Sequence, residues 1–421
     1  MSLLLGAIAD DFTGATDLAN TLVKQGMRVT QVIGVPDEDA EVGDAEAVII
    51  ALKSRTEPVA DAVSTSLAAQ RWLERRAVEQ YFFKYCSTFD STASGNIGPV
   101  ADALMQALDC DFAFVCPAFP TNKRTIYQGQ LFVGEQLLSE SPMKDHPLTP
   151  MRDANLVRLM DLQSARSSGL IPLQRVRDGV EAIASAVDSL KSRNYAYGVI
   201  DAIDDDDLMT IGTAAAEHKL ITGGSGVALG LADNFRKQGK LTGSAAASLP
   251  SVEGRELVLA GSCSAATRAQ ITEVKGRWPQ RKIDVDAIAA GEDVVTALAD
   301  WAAMQDSTVP IVIYASADPD EVAQIQRRHG IDAAGAMIEK LMGELAQRLV
   351  TIGFSRLVVA GGETSGAVVS ALAIRALRIG AEIDPGVPWT ETIGEPGIAL
   401  ALKSGNFGGR DFFLRAFGML P

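Results

Sequence analysis

The chain has 421 residues, and its 38 Lys and Arg against 53 Asp and Glu give a formal net charge of −15. This length is two to three times a typical domain of roughly 150 residues, so we expect two domains with a large core. The negative field repels phosphate backbones and anionic lipid, and no basic patch interrupts it, which argues against nucleic acid and membrane surfaces as partners.

The cysteines and the first apolar run point to a cytoplasmic protein. The four cysteines are Cys86, Cys110, Cys116 and Cys263. No two of them have the CxxC spacing, so neither a disulfide framework nor a zinc site is predicted. The run at residues 3–9 has no basic leader and ends at two aspartates, as a first strand does and a secretory signal does not. No segment reaches the roughly 18 apolar residues of a membrane span.

Short apolar runs alternate with longer amphipathic segments from end to end, which is typical of βα units around a buried parallel sheet. In the first half we predict strands at 3–9, 28–34, 47–52, 81–85, 112–116, 197–200 and 220–222, with helices at 16–25, 60–79 and 179–193. In the second half we predict strands at 256–260, 282–285, 310–314, 356–360 and 398–402. The fold class is α/β, with two domains, each a largely parallel sheet flanked by helices, and with the active site expected in the interdomain cleft.

The segment LTGSAAASLPSVEGR at about 241–255 is small, polar and broken by Gly and Pro, so we place a linker there. The predicted domains are therefore residues 1–240 and 256–421.

Polar residues follow the predicted strands of the first half, where ligands of open α/β sheets bind. The first strand is followed by Asp10 and Asp11, the third by Arg55, and the fourth carries Lys84 with Ser87 and Thr88 behind it; Lys123 and Arg124 follow the fifth. A guanidinium pairs with a carboxylate and Asp accepts hydrogen bonds from hydroxyls, so this set fits a hydroxy acid. The alternative is that Asp10 and Thr13 cap the next helix and that the lysines are solvated strand ends. Asp10 and Asp11 alone leave both interpretations open.

The strand ends of the second half are rich in Gly, Ser and Thr. They are Gly261–Ser264, Gly361–Gly366 and Lys403–Gly409. Glycine lets backbone N–H groups approach phosphate oxygens, and the following helix adds the positive end of its dipole. Three such turns favour a nucleotide, although each alone fits an ordinary βα connection. Neither a P-loop run nor a G-x-G-x-x-G after a strand occurs, which argues against a P-loop enzyme or a Rossmann dehydrogenase.

Metal and histidine chemistry have little support in the sequence. The three histidines are His146, His218 and His329, without metal-like spacing, and no residue is assigned to a protein metal site. The run Asp204–Asp207 opens a helix, where acidic residues complement the dipole. A phosphoryl transferase would need Mg²⁺, which ATP could carry and which one or two carboxylates such as Glu363 could bind.

Several separated segments resemble the four-carbon acid sugar kinase family, and among its members the 3-oxo-tetronate 4-kinases most. They are IADDFTGATD, FPTNKRTIYQGQLFVGE, HPLTPMRDANL, GGETSGAVVSAL and GEPGIALALKSGNFGG, in the family's order along essentially the whole chain. The resemblance implies an N-terminal substrate domain, a C-terminal nucleotide domain, and transfer of the ATP γ-phosphate to the terminal hydroxyl of a four-carbon acid.

Carried over by residue, the resemblance assigns the acid sugar to Asp10, Asp11, Arg55, Lys84, Ser87 and Thr88. It assigns ATP to Ser262, Gly361, Gly362, Glu363, Thr364 and Gly405. The catalytic base would be Asp11 or Asp10, with Asp11 preferred. D-threonate and erythronate are alternative acceptors, and a sugar-acid dehydrogenase or a non-catalytic sensor are alternative functions. The composition also permits a homodimer.

Overall fold

The computed structural model describes residues 3–146, 149–241, 252–316 and 318–420. The chain divides into two compact units, Met1–Ala246 and Ala247–Pro421. Most of the linker expected at about 241–255 falls at 242–251, outside the described residues, so its position stays a prediction. In the described part of the chain, no helix is both long and apolar enough to cross a bilayer.

The first unit is built on a parallel sheet. Its strands are β1 Leu5–Ala9, β2 Val29–Ile33, β3 Ala47–Ala51, β4 Gln80–Lys84, β5 Ala113–Cys116, β6 Arg124–Tyr127, β7 Gln130–Val133, β8 Gln136–Leu137, β9 Ser167–Ile171, β10 Tyr195–Ile200 and β11 Leu220–Gly223. The parallel sheet has the order β2-β3-β1-β4-β11-β5-β10-β9. Its central strands are buried on both faces, which explains why β1 and β3 are unbroken apolar runs.

Helices connect these strands. They are α1 Phe12–Lys24, α2 Val59–Glu74, α3 Ile97–Ala107, α4 Leu156–Gln163, α5 Leu173–Arg177, α6 Val180–Ser192, α7 Asp205–Ala214 and α8 Leu231–Lys237. Asp204 caps α7 in a capping box with Asp207, so the acidic run opens a helix as predicted. The helix predicted to 79 ends at Glu74, because Ala77 has a left-handed φ of 54° and β4 begins at Gln80.

Strands β6 to β8 form a separate antiparallel sheet that the sequence patterns did not predict. Gln128 and Gly129 join β6 to β7 with φ values of 53° and 70°, which is the backbone of a two-residue hairpin turn. The carboxylate of Asp201, fully buried, accepts the N–H groups of both residues at 2.8 and 2.9 Å and that of Leu173 at 3.1 Å. One side chain therefore fixes the hairpin to the main sheet.

The second unit repeats the βα pattern around its own sheet. Its strands are β12 Arg255–Ala260, β13 Gln280–Lys282, β14 Ile311–Tyr314, β15 Phe354–Ala360, β16 Ala376–Asp384, β17 Val387–Thr392 and β18 Ala399–Lys403. Its helices are α9 Ala265–Glu273, α10 Val285–Ala289, α11 Val294–Ala303, α12 Pro319–His329, α13 Ile331–Thr351, α14 Gly362–Ala371 and α15 Phe412–Met419. The order is β13-β14-β12-β15-β18-β17-β16, with β17 antiparallel to both neighbours and all other pairs parallel.

The strand predicted at 282–285 is wrong in its position. Strand β13 ends at Lys282, and the Asp284 side chain accepts the N–H groups of Asp286 and Ala287, which starts α10 at Val285. An Asx cap therefore overrides the apolar pair Ile283 and Val285. The other predicted strands are present, and the α/β class with two domains built on largely parallel strands is confirmed.

Removing the Asp201 carboxylate should destabilise the first unit. Asp201→Ala leaves the buried N–H groups of Gly129 and Leu173 without an acceptor and removes that of the exposed Gln128, and we expect a loss of about 3 kcal/mol. Urea denaturation followed by far-UV circular dichroism measures it. Asp178→Ala is the control, because exposed Asp178 accepts one hydrogen bond from Gln174 and its loss should stay within about 0.5 kcal/mol. Equal effects of the two substitutions would contradict the role given to Asp201.

Candidate functional site

The polar residues of the first unit meet where its strand order reverses. The chain leaves β1 for β2 on one side of the sheet and leaves β4 for β5 on the other side. A crevice forms between two parallel strands whose connections diverge in this way. Ala9 is in register with both Ala51 and Lys84, so the turns after β1, β3 and β4 begin at one level. Asp10, Arg55 and Lys84 are brought together by this register.

Arg55 is surrounded by three carboxylates. Its Nε and Nη2 donate to the two carboxylate oxygens of Asp10 at 3.0 and 2.9 Å, and Nη2 also donates to Asp11 Oδ1 at 2.6 Å. Nη1 lies 3.5 Å from Asp90 Oδ2. Burial lowers the pKa of Arg55, but the charges of Asp10 and Asp11 outweigh it and hold the pKa well above the usual value. Asp10 therefore forms a bidentate pair with the guanidinium, and Nη1 is the guanidinium nitrogen with the weakest contacts.

Asp11, and not Asp10, caps the first helix. Its Oδ1 accepts the Gly14 N–H at 3.0 Å, while Asp10 is turned into the sheet edge and is 5% exposed. The capping alternative therefore applies to Asp11 and coexists with its contact to Arg55. Burial raises the pKa of the Asp11 carboxyl, and Arg55 only partly opposes that rise. The side chain keeps 30% of its surface exposed, so it is open to a ligand.

Lys84 lies beside Asp11 at the floor of the same cluster. It is 3% exposed, and its Nζ donates to the Tyr85 carbonyl at 2.8 Å. Its charge lowers the pKa of Asp11 and so offsets part of the effect of burial. Thr88 donates to Asp90 Oδ1 at 2.6 Å, which connects the turn after β4 to the Arg55 cluster. Ser87, between Cys86 and Thr88, is half-buried.

Two residues that position this cluster were not identified from the sequence. The Asn96 amide donates to the carbonyls of Ser54 and Glu57 at 2.7 and 2.9 Å and so holds the loop that carries Arg55. Asp90 has a left-handed φ of 30°, directly after Phe89 at 64°. Such backbone is costly for residues other than glycine and concentrates at functional sites. Neither carries a sequence signal, since both depend on contacts made by distant segments.

Other polar residues singled out in the sequence lie elsewhere. Arg124 begins β6 and donates to the Asn122 carbonyl, with Lys123 before it at a left-handed φ of 60°. His146 Nδ1 contacts the Thr149 N–H at 3.1 Å, and the His218 ring packs 4.5 Å from that of Phe114. These contacts are with local or core groups and not with the cluster around Arg55.

The Gly-rich turns of the second unit also meet where strand order reverses. The chain leaves β12 for β13 in one direction and β15 for β16 in the other. Ala260, Ala360 and Lys403 are mutually in register at the ends of β12, β15 and β18. Consequently the turns that begin with Gly261, Gly361 and Ser404 leave the sheet side by side, at the position where open α/β sheets bind ligands.

These turns are packed too closely for larger residues. A Cβ at Gly405 would overlap Ser262 Oγ, and one at Gly261 would overlap Thr364 Oγ1. The Gly405 carbonyl accepts from Ser264 Oγ at 2.5 Å and from Thr267 Oγ1 at 2.9 Å. The ATP residues predicted from the resemblance therefore form one contiguous surface, with Ser262, Thr364 and Gly405 at its centre.

The first turn of α14 offers backbone donors to an anion. Gly361 precedes the helix with a φ of 131° and supplies no side-chain cap, so the N–H groups of Gly362, Glu363 and Thr364 begin a helix without a capping oxygen. The positive end of the helix dipole lies at the same point. Ser264 caps the neighbouring α9 by accepting the Thr267 N–H. The donors of α14 and the cap of α9 flank the ends of β15 and β12.

Lys403, the first residue of the third predicted turn, is a buried cation to which the sequence assigned no role of its own. It is 1% exposed, and its Nζ lies 3.0 Å from Thr267 Oγ1 and 3.2 Å from the Ser404 and Gly405 carbonyls. Among the described residues, no carboxylate forms an ion pair with it, and burial lowers its pKa to about 8. A buried ammonium without a carboxylate partner leaves its positive charge uncompensated at the end of β18, next to the turn at Gly405. Its only sequence signal is its place as the last residue of an apolar strand.

Family models match both units of the chain. Residues 5–231 match a sugar-binding N-terminal domain, and residues 257–413 match a nucleotide-binding C-terminal domain.

Curated and solved relatives match along nearly the full length. A Pseudomonas fluorescens protein named 3-oxo-tetronate kinase is 56% identical over 419 residues, covering 99% of this chain and 97% of its own. A solved structure from Salmonella typhimurium LT2, provisionally described as a tRNA synthase, is 44% identical, with a TM-score of 0.94 and 100% of both chains covered. A crystal structure from Haemophilus influenzae is also 44% identical, with a TM-score of 0.87 over 99% of this chain and 100% of its own. With both family models matched and identity above one half to a full-length relative, this chain belongs to the 3-oxo-tetronate kinase family.

Proposed function

We propose that this protein transfers the γ-phosphate of ATP to the terminal hydroxyl of 3-oxo-tetronate and releases the 4-phosphate and ADP. The observation that carries the proposal is the 53–56% sequence identity, over 99% of this chain, to proteins named 3-oxo-tetronate kinase. The geometry supports it, because one unit holds a carboxylate and arginine cluster suited to a hydroxy acid, and the other holds turns whose uncapped backbone N–H groups could receive an anion. D-threonate and erythronate are the alternative acceptors.

The acid sugar is assigned to the cluster of the first unit. Arg55 and Lys84 supply positive charge for the substrate carboxylate, while Asp10 holds the guanidinium in place through two hydrogen bonds. Ser87 and Thr88 are the hydroxyls of the adjoining turn. Asp11 is assigned as the general base, because its carboxylate is exposed on one side and Asp10 is fully engaged with Arg55. In the transfer the substrate oxygen forms a bond to phosphorus, ADP leaves, and the hydroxyl proton passes to Asp11.

The ATP phosphates are assigned to the strand ends of the second unit. The backbone of Gly361 through Thr364, the Ser262 hydroxyl and the turn at Gly405 line that surface. The Lys403 ammonium donates to the Gly405 carbonyl at 3.2 Å, and its positive charge would stabilise a phosphate bound at this turn. ATP binding and the base are thus assigned to different units. The interdomain cleft expected from the sequence stays a prediction, as do the cytoplasmic location and the homodimer.

Mg²⁺ is proposed to enter with the ATP phosphates. Within the described ranges, no group of three or more His, Cys, Asp or Glu side chains is arranged to hold a metal ion. Magnesium typically binds through one or two protein carboxylates together with substrate phosphates and waters. Glu363 fits this role because it is exposed in the first turn of α14, beside the assigned phosphate surface. The ion would neutralise charge on the transferred phosphoryl group.

A panel of four-carbon acids and their 3-oxo forms tests the proposed function. ADP release from ATP and Mg²⁺ should be fastest with 3-oxo-tetronate. Turnover with D-threonate or erythronate alone would support the kinase activity but show that the acceptor is not 3-oxo-tetronate. Reduction of NAD with no ADP release on any acid would refute the kinase.

Asp11→Asn should reduce kcat by about 10²- to 10⁴-fold, the usual contribution of a general base. The raised pKa of Asp11 also fixes the direction of the pH dependence. The base must be ionised to accept a proton, so kcat of the wild type should fall as the pH is lowered. Because the pKa of Asp11 is raised, this fall should begin at a pH above 3.8, the ordinary pKa of an aspartate carboxyl.

The pH profile of kcat measures this limb, and the substitution should remove it. Asp17→Asn on the same helix is a control for loss of charge. A near wild-type kcat in Asp11→Asn would exclude Asp11 as the base.

Arg55→Lys should raise KM for the acid at least tenfold and leave the Kd of ATP unchanged. A lysine keeps the charge but cannot pair with Asp10 and Asp11 through a planar fork. Steady-state kinetics and calorimetry with ATP measure the two constants. Arg28→Lys is the control, because Arg28 pairs with Asp44 and Glu46 away from the cluster. Weakened ATP binding with an unchanged KM for the acid would mean that the two ligands are assigned to the wrong units.

Lys403→Met should weaken ATP binding and remove its dependence on pH above about 8. A lysine pKa lowered to about 8 by burial means that the ammonium is lost as pH rises through that value. Because phosphate favours the charged form, the Kd of ATP in the wild type should rise by up to tenfold per pH unit above about 8. Calorimetry at pH 7, 8 and 9 measures it. A pH-independent wild-type Kd would contradict a phosphate role for Lys403.

A further inference from the structure

The Thr88 hydroxyl is part of a hydrogen-bond chain with a fixed direction. Its one proton is donated to Asp90 Oδ1 at 2.6 Å, because a carboxylate paired with Arg55 can only accept. Its oxygen lies 2.9 Å from Cys86 Sγ. Burial raises the pKa of the Cys86 thiol to about 12, so the thiol keeps its proton at neutral pH and donates it to Thr88. Thr88 is 3% exposed, so almost none of its surface is open to a ligand.

Asp90 is the carboxylate of the cluster that lies farthest from Arg55. Its Oδ2 is 3.5 Å from Nη1, whereas Nη2 lies 2.9 Å from Asp10 Oδ1 and 2.6 Å from Asp11 Oδ1. Hydrogen bonds between a charged nitrogen and a carboxylate oxygen are usually about 2.7–2.9 Å long. The hydrogen bonds to Asp10 and Asp11 already fix the guanidinium, so Nη1 can still donate to a further anion.

The backbone keeps Asp90 close enough to compete for this nitrogen. Phe89 and Asp90 have left-handed φ values of 64° and 30°. The Phe89 side chain is 1% exposed and its ring packs 5.7 Å from that of Tyr85, so the turn cannot carry Asp90 away from Arg55. The hydrogen bond from Thr88 draws the Asp90 carboxylate towards the turn after β4. Without it, a small rotation of the carboxylate would close the ion pair with Nη1.

We propose that Thr88 is a positioning residue that holds Asp90 away from Arg55 Nη1 and so keeps this nitrogen available for the carboxylate of the acid sugar. Thr88 thus acts on the acceptor through Asp90 and not by contact, which differs from the direct role that the resemblance implies. Ser87, half-buried beside it, remains the hydroxyl of this turn for direct contact with the acid. This inference rests on the proposed function and adds a determinant of acceptor affinity.

Thr88→Val should raise KM for the acid about fivefold, because valine keeps the shape of threonine but lacks the proton that holds Asp90. The kcat and the Kd of ATP should stay within twofold of the wild type. Thr88→Ser retains the hydroxyl and should retain the wild-type KM. Thr121→Val is the matched control, because Thr121 donates in the same way to Asp205 at 2.9 Å outside the cluster. Steady-state kinetics and calorimetry measure these constants, and far-UV circular dichroism checks that each variant is folded.

Adding Asp90→Asn to Thr88→Val separates this role from direct contact with the acid. Asparagine tolerates left-handed backbone and carries no charge that competes for Nη1, so KM of the double variant should return to within twofold of the wild type. A KM that stays raised in the double variant, or an unchanged KM in Thr88→Val, overturns the inference and leaves the kinase in place. No turnover of any four-carbon acid by the wild type refutes the proposed function and this inference together.

Discussion

Two reversals of strand order determine where chemistry can occur in this protein. Parallel strands whose connecting helices diverge leave a crevice at their carboxyl ends, and register brings the residues after those strands to one level. In the first unit the crevice lies between β1 and β4, and in the second it lies between β12 and β15. Every residue assigned to the acid sugar or to ATP follows, or ends, a strand at or near one of these crevices.

The two crevices treat buried charge in opposite ways. In the first, the buried cation Arg55 is paired with carboxylates of Asp10, Asp11 and Asp90, which hold its guanidinium in one position. In the second, Lys403 is buried among hydroxyls and carbonyls, with no carboxylate paired to it in the described part of the chain, and its surplus is positive. A carboxylate near a substrate hydroxyl suits proton acceptance, and an uncompensated ammonium suits phosphate. The division into acceptor and nucleotide units is therefore expressed in local electrostatics as well as in sequence.

The α/β class and most central strands could be predicted because fully buried parallel strands such as β1 and β3 are unbroken apolar runs. The hairpin of β6 and β7 could not, since its stability depends on the Asp201 carboxylate more than seventy residues away. Arg55 and Asp10 stood out because each lies in the turn that follows a strand. Asn96, Asp90 and Lys403 did not, because burial and contacts with distant segments give them their roles. The start of α10 was missed because the Asp284 cap lies within an apolar pattern.

The central claim is that phosphate passes from ATP to the terminal hydroxyl of a four-carbon acid. Phosphorus NMR of the reaction with 3-oxo-tetronate, ATP and Mg²⁺ tests it most directly. The account predicts one equivalent of ADP and a new phosphate ester signal split into a triplet by the two protons of the terminal carbon. ADP accompanied only by inorganic phosphate, or an ester on another carbon, would contradict it.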